Sequence, residues 1–87
     1  MTLSFKNSRN VERVIAENLS NRKEVYKVIN DFLAEHHFKS YYSREIYKPT
    51  EVMFDVGSHC EFFYLRGTEE EISSFRYNQG DVKNGEN

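Results

Sequence analysis

The spacing of apolar and polar residues changes several times along the chain, and each change predicts an element. Val11, Val14, Ile15 and Leu19 recur at helical spacing with Arg9, Glu12, Arg13 and Glu17 opposite them, which predicts a helix over 9–18. Asn7 or Ser8 would cap it. A second, stronger stripe (Val25, Val28, Ile29, Phe32, Leu33 and His36, bordered by Tyr26) predicts a helix over 21–37. Asn21-Arg22-Lys23-Glu24 has the form of a capping box at its start. The stripe stays nearly in phase through Arg22, so one helix of about thirty residues is the other solution.

Beyond residue 38 the period shortens to two. Lys39–Lys48 sets Tyr42 and Ile46 against Tyr41, Ser43, Glu45 and Tyr47, which suits a strand that Pro49 ends. Glu51–Val56 and Cys60–Arg66 are β-favouring runs around Gly57-Ser58-His59, the pattern of a hairpin. The first run has one apolar face; the second is apolar on both and predicts a central strand covered on two sides, with Cys60 a small buried residue. Thr68 with Glu71 then forms a capping box for a last helix carrying Ile72 and Phe75. Leu3 and Phe5 alternate in the first seven residues and leave room for an extra N-terminal strand. The expected fold is α+β in the order ααβββα: two N-terminal helices, a three-stranded antiparallel meander and a short C-terminal helix. Residues 1–79 make one domain and 80–87 a disordered polar tail.

Composition narrows the function more than the fold. Seven Phe and six Tyr in 87 residues give an aromatic share of 15%, and so many tyrosines imply amphipathic surface as well as core. A single cysteine suits a reducing compartment, and the opening MTLSFKNSRN lacks the apolar run of a secretory leader, so the expectation is a cytoplasmic protein with no membrane partner. The net charge of -2 is unevenly spread: residues 1–27 carry six Lys/Arg against three Glu, and residues 51–87 three against eight acids.

No enzyme is expected. His36 and His37 are adjacent on a helix and diverge by about 100°, and His59 and Cys60 are adjacent beside a strand, so each pair offers a metal at most one ligand. Cys60 lacks an electropositive setting, Asp55 and Glu61 read as solvated strand residues, and the four glycines form no phosphate loop. No catalytic residue, metal or cofactor follows. Two partner classes remain. Tyr41, Tyr42, Arg44 and Tyr47 cluster about one strand, and Tyr and Arg commonly anchor interfaces. With Glu69, Glu70 and Glu71 they predict a non-enzymatic protein-binding module that acts by steric or electrostatic occlusion of a larger host protein. The patch also permits a homodimer, unless the last helix covers it. Nucleic acid ranks second: Arg9, Arg13, Arg22, Lys23 and Lys27 would form a basic patch on the two helices, yet the sequence pI of about 5.9 leaves little positive charge to spare.

In its short length, its Asn/Lys/Glu/Tyr/Phe-rich composition and its α+β pattern, the chain resembles small accessory proteins of phages and mobile elements of low-GC Gram-positive bacteria. Many of those are inhibitors or regulators that bind and block a host protein, anti-CRISPR and other anti-defence proteins among them. The resemblance implies a function class and carries no residue with it.

Overall fold

A computed structural model describes residues 1–37, 44–57 and 60–77. Its elements are β1 (Thr2–Lys6), β2 (Glu12–Ala16), α1 (Arg22–Glu35), β3 (Arg44–Lys48), β4 (Glu51–Asp55), β5 (Phe62–Arg66) and α2 (Glu69–Tyr77). The strands form one antiparallel sheet in the order β2-β1-β5-β4-β3. The fold is a small α+β domain of order ββαβββα, and the expected order ααβββα is wrong at its first element.

The correction falls on residues 9–18, which form a turn and an edge strand instead of a helix. Asn7 does not cap a helix; its side chain accepts hydrogen bonds from the backbone N–H groups of Arg9 (2.9 Å) and Val11 (3.1 Å), which closes a turn. Asn10 sits at φ 67° and Asn18 at φ 60°, left-handed positions that interrupt a helix and that Asn tolerates better than most side chains. Between them Arg13, Val14 and Ala16 pair with β1, and a bulge between Leu3 and Ser4 shifts the register. The bulge breaks the two-residue alternation, so four apolar residues fell at helical spacing by coincidence. Val11 and Val14 are 58% and 53% exposed, which no core-facing helical stripe would be.

The three-strand meander is present as β3, β4 and β5, with β1 adding to the free side of β5. β5 is central, and Phe63 and Leu65 are fully buried. Leu3, Phe5, Val52 and Phe54 lie beside them on the same face, in register. Both helices cover this face. α1 contributes Val25, Ile29, Phe32 and Leu33, and α2 contributes Ile72 and Phe75. Phe32 meets Phe5 at 4.5 Å and Phe75 meets Phe54 at 6.0 Å between ring centroids. Among the described residues no second cover lies over β5, and α2 packs on the side away from Phe62 and Tyr64. Cys60 is exposed in the turn before β5, at φ 58°, and is not a buried strand residue.

The helix ends follow their local chemistry. Asn21 caps α1 by accepting from Glu24 N–H at 2.9 Å, while the Glu24 carboxylate reaches Ser20 N–H, one residue earlier than expected. Thr68 and Glu71 form the reciprocal capping box of α2, at 2.9 and 3.1 Å. No described helix is long and apolar enough to cross a membrane.

Candidate interaction surfaces

Among the described residues, three side-chain groupings lie outside the hydrocarbon core. The first is a buried polar cluster between α1, β3 and α2. Arg22 opens α1 facing inward and is 7% exposed. Its guanidinium donates twice to Glu45, at 2.6 and 3.0 Å, and also to the Tyr47 hydroxyl and the Phe75 carbonyl, each at 3.2 Å. It lies 4.3 Å from the Phe75 ring centroid. Tyr26 and Tyr47 both donate to Glu45 as well. Burial is the largest single influence on Glu45 and pushes its pKa up. The hydrogen bonds from Arg22, Tyr26 and Tyr47, with the Arg22 charge, outweigh it and hold the carboxyl below its ordinary value. Burial, followed by the hydrogen bond to Glu45, pushes the Tyr47 phenol well up. The neutral Tyr47 phenol and the ionised Glu45 carboxylate match a structural clamp. Arg22 Nε is buried with no hydrogen-bond partner among the described residues.

The second grouping is a groove of about 340 Å³ beside that clamp, between the β3–β4 turn and α2. Its lining includes Tyr47, Lys48, Pro49, Glu69, Ile72, Arg76 and Tyr77. The clamp fixes the Tyr47 hydroxyl, so one edge of its ring is set. Arg76, a turn beyond Ile72, lies 4.8 Å from the Tyr47 ring centroid and 5.4 Å from that of Tyr77. Tyr77 is 71% exposed.

The third is the helix-free face of the sheet. Strand register places Val14, Ser4, Tyr64, Met53 and Ile46 in one row across all five strands. A parallel row runs Glu12, Lys6, Phe62, Asp55 and Arg44. Beyond the apolar row lie Thr2, Arg66, Glu51 and Lys48. Lys6 Nζ lies 5.2 Å from the Tyr64 ring and Arg66 5.1 Å from the same ring. Arg66 pairs with Glu51 and Glu12, and Arg44 with Asp55 at 2.9 Å. The Arg66 hydrogen bond is the largest influence on Glu12 and holds its carboxyl below its ordinary value.

Of the protein-binding residues expected from the sequence, the structure brings Tyr47 and Glu69 together in the groove. It sends Arg44 to the opposite face of the sheet. Tyr41 and Tyr42 lie outside the described residues, as does the expected tail 80–87. Glu70 is exposed on the first turn of α2, while Glu71 is occupied by its capping box and by the Met1 amino group at 3.7 Å. Arg76, Tyr77 and Pro49 were missed. The signal for Arg76 and Tyr77 was their place one turn after Ile72 and Ser73 on the last helix; Pro49 gave none beyond ending the strand.

The expected basic patch loses the helix that would have united it. Arg9 is in the β1–β2 turn, and Arg13 lies on the helix side of β2, 5.7 Å from the Phe32 ring. Lys23 and Lys27 are on α1, where Lys27 pairs with Asp31 at 2.8 Å. Arg22 is buried, which corrects its place in that patch: its guanidinium is committed to Glu45 and faces no solvent-borne phosphate. No group of three or more His, Cys, Asp or Glu residues stands close enough to hold a metal ion among the described residues. No protein-family model matches the chain, nor does any curated protein or solved structure.

Proposed function

We propose that the chain is a non-enzymatic protein-binding domain that docks a segment of a larger protein in the groove between Lys48-Pro49 and α2. The observation that carries this reading is the Tyr47–Arg76–Tyr77 stack. Two aromatic rings lie on a guanidinium in a groove that Ile72 also lines, and these are the residue types that concentrate binding energy at interfaces. One of the rings is immobilised beforehand by Arg22 and Glu45, so less side-chain entropy is lost when a partner arrives. The groove is large enough for one or two side chains of a partner. Lys48 favours an acidic group beside the inserted apolar one, while Glu69 and Glu70 steer approach towards a basic neighbouring surface. The mechanism is occlusion: a surface of the larger protein is covered and its own ligand kept off. Resemblance to phage and mobile-element inhibitors makes that larger protein a host protein.

Capture on the immobilised chain tests this. The protein bound stoichiometrically by the wild-type chain should lose at least about tenfold in affinity for Arg76→Ala and for Tyr77→Ala, the range expected of anchor residues. Unchanged affinity in both folded variants would remove the groove from the account.

A further inference from the structure

The helix-free face carries a charge pattern that its own copy complements. Taken in sheet order from β2 to β3, the charged row is Glu12, Lys6, Phe62, Asp55, Arg44: negative, positive, neutral, negative, positive. Reversed, it becomes positive, negative, neutral, positive, negative, so each position meets its opposite. A two-fold axis parallel to the strands and passing over β5 performs that reversal when two such faces are laid together. Glu12 then opposes Arg44 of the second copy, Lys6 opposes Asp55, and Phe62 meets Phe62. The neighbouring apolar row reverses equally well: Val14 meets Ile46, Ser4 meets Met53, and Tyr64 meets Tyr64. Val14 and Ile46 are the large apolar residues of this face left most open to solvent, at 53% and 38%. Each would fill the space over the other.

We infer that this face is the interface of a symmetric homodimer, packed sheet on sheet. Aligned sheets cross at about 30°, which displaces the outer pairs, and the long Arg44 and Glu12 side chains span that displacement. One repulsion remains, Arg66 against its copy near the axis, and Glu51 neutralises it within each chain. Glu12 and Arg44, which pair with Arg66 and Asp55 in the single chain, exchange those partners for each other across the interface. Rotation about the perpendicular in-plane axis is disfavoured, because it would set Lys48 against Arg44 and Glu51 against Asp55. Five strands of five residues cover roughly 24 by 17 Å, below the area of a standard stable interface. The dimer is therefore a concentration-dependent one. The groove lies at the β3 edge on the helix side, so dimerisation leaves two grooves turned outward and makes the assembly bivalent. The inference uses a different surface from the proposed function, and each stands without the other.

Sedimentation equilibrium of the full chain with charge-swapped variants tests it. The wild-type chain should pass from monomer to dimer as its concentration rises. Glu12→Arg places a second cation against Arg44 of the opposing copy, and Arg44→Glu places a second anion against Glu12. Each substitution alone should weaken the dimer by about tenfold or more. In an equimolar mixture of the two variants both contacts are attractive again. The introduced arginine of one chain faces the introduced glutamate of the other, and the unchanged Glu12 faces the unchanged Arg44. Association should then return to near the wild-type level. Circular dichroism checks that both variants are folded. A wild-type chain monomeric up to about 1 mM, or single variants that dimerise as well as it does, would overturn the inference. So would a monomer whose Phe62 and Tyr64 resonances shift only when a single-stranded oligonucleotide is added.

Discussion

Arg22 carries a full charge into a site where it is 7% exposed, and the stability of that arrangement depends on Glu45. Removing one partner of a buried pair strands the other. Arg22→Ala and Glu45→Ala should each cost about 3–5 kcal/mol in urea unfolding, a large part of what a domain of this size has. The double variant should cost less than the sum, with a coupling of about 1 kcal/mol or more. The pH dependence follows from the sign of the Glu45 shift. Its folded-state pKa is depressed, so its contribution is complete above the unfolded value of about 4.3 and is lost as pH falls through the folded one. Glu45→Gln should therefore show a shallower loss of stability than the wild type between about pH 5 and pH 3. Helical spacing already separates Arg22 from Lys23: Arg22 falls in phase with Val25 and Ile29 on the buried stripe and Lys23 falls off it, yet charge made both count as basic surface. What the spacing could not give is the partner, because Glu45 lies 23 residues away on β3 and only the packing of α1 on the sheet brings the two together. The capping box at Thr68 and Glu71 was legible because it depends on four consecutive residues.

The elements differ in how far their own residues determine them. α1 has a sustained stripe, and Val25, Ile29, Phe32 and Leu33 are buried as their spacing requires. β2 has only five residues, a bulge and two asparagine turns, and its conformation depends on pairing with β1. Its apolar residues mimicked a helix because Val11 and Val14 serve no core at all. The backbone at these boundaries gives a direct check. His37 ends α1 at φ 58°, a conformation that costs a non-glycine residue about 1 kcal/mol or more, so His37→Gly should raise the melting temperature by about 4–8 °C. Asn10, at φ 67°, should accept Gly with little change, whereas Asn10→Val should destabilise by about 1–2 kcal/mol. Were 9–18 helical, the valine variant would be tolerated and the glycine variant would be the damaging one.

At the scale of the molecule, placing both helices on one side of the sheet decides what each face is available for. Tyr47 belongs to the helix side, where the Arg22–Glu45 clamp holds it against the groove, and Arg44 belongs to the open side. The sequence placed these two residues near each other on one strand without saying which face each takes. It also showed Phe62, Tyr64 and Met53 as apolar neighbours of core positions. Their place on an open face could not be inferred while a second cover was expected for β5. The proposed function has a partner protein docked between Tyr47 and Tyr77. Amide chemical-shift mapping of the ¹⁵N-labelled chain, titrated with the protein it captures, tests this most directly. Shifts should concentrate at Tyr47, Lys48, Ile72, Ser73, Arg76 and Tyr77, with Lys23 and Lys27 unmoved. Shifts confined to Arg9, Arg13, Lys23 and Lys27, or produced instead by a nucleic acid, would contradict it.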